Sequence, residues 1–222
     1  MQIRQQILFI LLGCAVAGLS GVAIAVLLFR PKPVTESSDI VIRSSIDSAP
    51  QGNAGLPNLF PSPSFALVDQ SDQPVTHQAL RGKPWIADFI FTNCAGPCPM
   101  MTAKMAQLQK DLPGDAVQLV SFSVDPEHDR PEVLKTYADR FAADSSRWRF
   151  LTTSDGSTQP IYDVAIGMKL TALGATQNEP IIHSEKFLLV DAMGNVRGVY
   201  SSGDEQSMSK LVADASRLTK GN

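Results

Sequence analysis

Cys94 and Cys98 stand four residues apart in the run Thr92-Asn93-Cys94-Ala95-Gly96-Pro97-Cys98-Pro99, and a histidine, His183, follows far downstream. The run is preceded by Trp85 to Phe91, a short apolar stretch rich in aromatic and branched residues that reads as a buried strand. It is followed by Met101, Met105, Leu108 and Leu112 at helical spacing, which predicts a helix over Met100 to Leu112. The thiols therefore fall at or just ahead of a helix N-terminus, where the helix dipole and free N–H groups favour thiolate over thiol. Thiolate is both the nucleophile of thiol–disulfide exchange and the form that binds metal.

Several readings of these residues stand side by side. Residues four apart on a regular helix hold their Cβ atoms about 5–6 Å apart, beyond the roughly 3.5–4.5 Å of a disulfide. Gly96 and Pro97 argue against a regular helix through both thiols, so a disulfide is feasible, either redox-active or structural. A closed zinc site wants a fourth protein ligand; the domain has no further cysteine, although His or Asp could complete one. Taken alone, His183 reads as an ordinary buried or turn histidine. His77 and His128 read as exposed polar residues, and Met100 and Met101 as helix packing rather than thioether ligands. Asp125 and Asp129 read as loop caps after a strand, with an acidic docking feature or a supporting role behind the metal ligands as the alternative.

The elements that must position the thiols alternate in type. Phe65 to Val68 and Pro74-Val75 suggest an entry hairpin, and Val117 to Val124 has strong strand propensity. Pro131 opens a predicted helix through Phe141, Arg149 to Thr152 suggests a short strand, and Gln159 to Met168 a further helix. Lys186 to Val190 and Val196 to Tyr200 read as strands across a turn at Asp191 to Asn195, and an amphipathic helix over Glu205 to Leu218 closes the chain. This order argues for an α/β layered domain, and a cysteine pair after its first core strand points to a thioredoxin-like central sheet flanked by helices.

The chain has 222 residues and a formal net charge of -3, with no basic patch, so there is no electrostatic argument for nucleic acid. Ile7 to Phe29 carries no charge and matches the roughly 20 residues that span a bilayer as a helix. An uncleaved N-terminal transmembrane anchor is the expectation; the alternative is lipidation at Cys14 within Leu11-Leu12-Gly13-Cys14. Residues 31–63 are rich in Pro, Ser, Gly, Asn and Asp and read as a flexible linker. The expected organisation is thus an anchor over 1–30, a linker over 31–63 and the globular domain over 64–222, facing the extracytoplasmic side.

From Phe60 to Leu218 the chain resembles the SCO/SenC family of copper chaperones. The resemblance rests on an ordered series: Leu80-Arg-Gly-Lys-Pro-Trp85; Phe89-Ile-Phe-Thr-Asn-Cys94 through Cys98-Pro-Met-Met101; Leu119 through Ser-Val-Asp125-Pro-Glu-His-Asp129; and His183-Ser184 followed by Phe187-Leu-Leu-Val-Asp191. Two positions depart from the family pattern, Ala95 in place of Pro and Ile182 in place of Asp, and these bear on affinity or kinetics more than on ligand identity. The resemblance implies a copper site made by Cys94, Cys98 and His183. Cu(I) favours soft thiolates and also accepts imidazole, and three ligands leave a position open for transfer. It also implies a client, the copper-site subunit of cytochrome c oxidase. The rival reading is a thiol–disulfide oxidoreductase in which Cys94 and Cys98 are the redox-active pair.

Overall fold

The computed structural model describes residues 55–220 apart from 113, 115 and 171–183. The predicted membrane segment and Cys14 lie outside the described residues, as does His183. No helix among the described residues is long and apolar enough to cross a membrane.

Among the described residues, eight strands and four α-helices follow in the order β1 (Phe60–Pro61), β2 (Ala66–Val68), β3 (Pro74–Thr76), β4 (Trp85–Ile90), α1 (Pro97–Asp111), β5 (Gln118–Ser123), α2 (Pro131–Arg140), β6 (Trp148–Leu151), α3 (Gln159–Gly167), β7 (Lys186–Val190), β8 (Asn195–Ser201) and α4 (Glu205–Lys220). Six strands form one sheet in the order β1-β8-β7-β4-β5-β6. β4, β5 and β6 run parallel, whereas β7 is antiparallel to β4 and to β8. β2 and β3 pair as the separate entry hairpin. The fold takes in residues ahead of Ser64: Leu56 is buried, and Phe60 pairs with Val196 on β8.

β4 lies in the middle of the sheet, and all six of its residues are buried. The two-residue period of a strand sends Ile86 and Ile90 to one face, among Met101, Met105 and Leu108 of α1, Leu134 and Tyr137 of α2 and Leu211 and Ala215 of α4. Trp85, Ala87 and Phe89 go to the other face, with Val75 of the hairpin and Ile161 and Val164 of α3. Phe89 stacks on Phe122 there, ring centroids 5.0 Å apart. Truncating so fully buried an aromatic costs about 3–5 kcal/mol. Covering both faces is what a parallel core requires, since its backbone and side chains have no access to water.

Each strand and helix predicted within the globular domain is present, with ends shifted by a few residues. The largest shift is at α1, which starts at Pro97 rather than Met100 and so takes Cys98 into its first turn. Proline is favoured there because its fixed φ suits a helix and its missing N–H is one that would have no intrahelical partner.

One expectation is corrected. His77 is 5% exposed, not a solvated polar residue. It packs edge-on against Phe65, and its Nε2 lies 2.8 Å from Ser62 Oγ. Since the Ser62 hydroxyl donates to the Gly194 carbonyl at 2.7 Å, Nε2 is left as the donor to Ser62 and so carries a proton. Burial, then the nearby Arg81 charge, holds the imidazole below its ordinary pKa, which favours the neutral ring. Gly194 closes over it with φ +86, and a Cβ at that position would come 2.9 Å from Nε2. His128, by contrast, is exposed as expected.

Candidate functional site

Both cysteines are free thiols, Cys98 buried and Cys94 partly so. Their surroundings follow from how α1 begins. A helix leaves its first four N–H groups without intrahelical partners. Here the cap residue is Gly96 and the next three are Pro97, Cys98 and Pro99, so two of the four N–H groups do not exist. No side-chain oxygen caps the helix. The two remaining donors both turn to Cys94: the Gly96 N–H lies 3.4 Å from its Sγ, and the Cys98 N–H bonds to it as well. The Cys94 sulfur therefore takes the place of a capping oxygen.

This separates the two thiols electrostatically. Partial burial works against a Cys94 thiolate, but the N–H groups of Cys98 and Gly96 and a hydrogen bond with the Cys98 side chain outweigh it, leaving Cys94 below the ordinary thiol range. Cys98 goes the other way. Burial pushes it up to about 12 despite a bond from the Phe91 backbone, and Cys94 and Asp88 add to the rise. The pair is thus split into one sulfur shifted toward thiolate and, behind it, a thiol held protonated at neutral pH, the arrangement of a nucleophile and a buried partner.

Cys98 packs with Ile86, Ile90, Met101 and Met105. Behind it, Thr102 donates its hydroxyl to the Cys98 carbonyl at 2.9 Å and shares a second bond with Tyr137 Oη at 2.9 Å. Asp88 belongs to the same region. It is fully buried on β4, and neither carboxyl oxygen has a hydrogen-bond partner. Burial raises its pKa to about 7; Ser121, its register partner on β5, pulls the other way. Tyr137 is likewise raised to about 12, first by burial and then by the Cys98 and Asp88 charges against the Thr102 bond. Sequence reasoning read Asp88 as part of an apolar strand; the signal available was a lone acid between Ala87 and Phe89.

Met101 is 2% exposed in the core, as helix packing predicts, while Met100 is 68% exposed beside the thiols. A surface hollow of about 360 Å³ is lined by Pro97, Met100, Met101, Lys104, Glu185 and Ser202, among others. Glu185 comes two residues after His183, so the chain leaving that histidine borders the first turn of α1. No group of three or more His, Cys, Asp or Glu side chains among the described residues is arranged to hold a metal. The described part of the site is two sulfur donors, which suit a soft cation and leave coordination to be completed from elsewhere.

The family model SCO1/SenC matches residues 57–220. A SCO1 protein homolog from Bacillus subtilis (strain 168) is 35% identical over 153 residues, covering 68% of this chain and 78% of that protein. Among solved structures, BsSco, described as a member of the Sco family of cytochrome c oxidase assembly proteins with a disulfide switch, superposes with a TM-score of 0.62 at 33% identity, covering 73% of this chain and 95% of that one. Arabidopsis thaliana ScoI with copper bound superposes with a TM-score of 0.57 at 26% identity, covering 69% of this chain and 96% of that one.

Proposed function

The chain belongs to the SCO1/SenC family, and on that premise we propose that it is a membrane-tethered copper-binding chaperone. Its cargo is copper, held by Cys94, Cys98 and His183. It delivers copper to, or keeps reduced the cysteines of, the dinuclear copper site of a respiratory oxidase, and its partner is the copper-site subunit of cytochrome c oxidase. The observation that carries this reading is the free pair of sulfurs offered by one turn, with Cys94 held toward thiolate by two backbone N–H groups. Soft thiolates select Cu(I). Two further facts support it: the chain next to His183 borders the same turn, and ScoI of Arabidopsis thaliana carries copper. Ile7 to Phe29 is the anchor in this reading, with the domain on the extracytoplasmic side, and the linker raises the local concentration of the site near membrane clients.

The test is a Cu(I) competition titration on the purified chain with X-ray absorption of the loaded protein. Roughly two sulfurs per copper, with nitrogen completing the site, is the expected result. His183→Ala weakens binding, and Cys98→Ser removes it. Copper bound without sulfur overturns the assignment.

A second reading is favoured by the unequal thiols. A half-buried sulfur of lowered pKa in front of a buried protonated one is also what a thiol–disulfide oxidoreductase needs, with Cys94 as nucleophile and Cys98 as resolving thiol. The imidazole separates the two. A reductase has no need of His183, so full rescue of oxidase activity in a deletion strain by His183→Ala would favour the reductase.

A further inference from the structure

Asp129 is 0% exposed, although it lies in a loop between Asp125 and α2 whose neighbours Glu127 and His128 face solvent. A carboxylate that only capped its own loop would bond backbone a few residues away. This one does more. Its Oδ2 accepts the Thr92 N–H at 3.0 Å and the Ser123 hydroxyl at 2.6 Å, and its Oδ1 accepts the Thr92 hydroxyl at 2.5 Å. Two of its three side-chain bonds thus go to a single residue 37 positions earlier, on the far side of α1 and β5. The loop that carries Asp129 is itself held in place. Its own N–H donates to the Asp125 carbonyl at 2.8 Å, and the Asp125 N–H donates to Ser123 Oγ at 3.1 Å.

Thr92 is the second residue before Cys94, and the other hydrogen bonds described between β4 and α1 run to a backbone carbonyl or to the two sulfurs. The Cys94 N–H bonds to the Phe91 carbonyl at 3.3 Å, Asn93 and Ala95 are exposed, and the cap of α1 is the sulfur itself. The charge-assisted bonds from Asp129 are the strong contacts on the entry to this turn, and hydrogen bonds to an ionised group are roughly twice as strong as neutral ones.

We propose that Asp129 is a positioning residue for the thiol pair: by gripping Thr92 at both its N–H and its hydroxyl, it fixes where the chain enters the turn and so where the Cys94 sulfur sits relative to Cys98. The consequence for copper rests on the function proposed above; the consequence for the spacing of the thiols does not.

The test uses the full chain in detergent with two readouts. One is Cu(I) affinity by competition. The other, in the absence of copper, is the equilibrium between the dithiol and its disulfide in glutathione buffer, where oxidised glutathione takes the two electrons and both thiol protons end on reduced glutathione. Thr92→Val removes the hydroxyl bond and loosens the N–H bond; Asp129→Asn replaces the acceptor; Thr92→Ser keeps both bonds. Ser123→Ala is the control, since it removes a bond to the same carboxylate without touching Thr92. Thr92→Val and Asp129→Asn should each weaken copper binding about tenfold and shift the disulfide equilibrium about tenfold through poorer alignment of the thiols. The double variant should be no worse than either single one, because both cut the same link. Thr92→Ser should match the parent, and Ser123→Ala should lose stability while keeping both readouts. Parent-like values for Thr92→Val overturn the proposal, and so do equal losses in Thr92→Val and Ser123→Ala, which would indicate general loosening of the loops. If Asp129→Asn does not fold, the comparison of Thr92→Val, Thr92→Ser and Ser123→Ala decides. If the parent binds no copper, the functional reading fails and the disulfide equilibrium alone decides the role of Asp129.

Discussion

The turn after β7 and the turn after β4 are built on the same plan around different atoms. In the first, Asp191 Oδ1 accepts the N–H groups two and four residues on, from Met193 and Asn195, both at 2.9 Å. In the second, Cys94 Sγ accepts the N–H groups two and four residues on, from Gly96 and Cys98. What differs is the charge behind each acceptor. Asp191 Oδ2 meets the buried guanidinium of Arg197 at 2.9 Å, both side chains 4% exposed. Cys94 is drawn toward thiolate by backbone dipoles and a neighbouring thiol, and the buried acid on β4 that acts on Cys98, Asp88, has no hydrogen-bond partner. A buried acceptor already matched by a cation is finished as structure. A soft acceptor held only by dipoles can still take a cation or an electrophile. The same backbone pattern therefore serves a joint at one place and a reactive site at the other.

The sharpest way to break this comparison is to remove each acceptor. Asp191→Ala leaves Arg197 buried without its counter-charge and should cost about 3–5 kcal/mol of stability, whereas Cys94→Ala should cost about 1 kcal/mol. Denaturant unfolding of the metal-free protein measures both, and equal losses would mean that the thiol turn is as structural as the Asp191 turn.

The next effect concerns the carboxyl without a partner. Asp88 titrates near 3.8 when unfolded and near 7 in the fold, so the folded state binds its proton more tightly. Its contribution is fully present below pH 3.8 and is lost as pH rises through about 7. The loss amounts to roughly 4 kcal/mol above neutrality. Asp88→Asn should therefore gain on the parent as pH is raised from 4 to 8, most steeply between about pH 4.5 and 6.5 and levelling off above about 7. A constant difference between the two proteins across that range would show that Asp88 already has a partner that satisfies it.

A smaller effect tests the closure over His77. Gly194→Ala places a side chain at φ +86 and within 2.9 Å of the His77 ring, which should cost about 1–3 kcal/mol. A thermal midpoint equal to that of the parent would mean that the turn relaxes freely.

The smallest effect tests how the thiols share the site. Cys98→Ala removes the side-chain bond to Cys94 but leaves the Gly96 and Cys98 backbone donors. Alkylation of Cys94 at neutral pH should slow about threefold. A tenfold or greater loss would assign the thiolate chiefly to the neighbouring thiol rather than to the N–H groups.

Much of the fold was legible in the sequence because its signals are local. β4 is a continuous apolar run, α1 repeats apolar residues at helical spacing, and the proline at the start of α2 marks its first turn. The thiol pair was legible for the same reason, since residue type and spacing next to a helix start need no long-range information. His77 was misread because nothing beside Thr76 and Gln78 marks it as buried; its cover comes from Ser62, Phe65 and Gly194. Asp125 and Asp129 looked alike as loop acids, yet Asp125 is partly exposed and Asp129 is 0% exposed and bonded to Thr92.

The sequence by itself determined the donor atoms, their spacing, the order of strands and helices, and the two prolines that empty the first turn of α1 of competing N–H groups. Only the tertiary structure decided which cysteine leans to thiolate and which stays protonated, that Asp88 is left without a hydrogen-bond partner, and that Asp129 reaches back to Thr92. The physical reason is that protonation and hydrogen-bond partnership depend on burial and on neighbours brought together by strand register and helix packing, between residues 30 or more positions apart, such as Asp88 with Ser121 and Thr92 with Asp129.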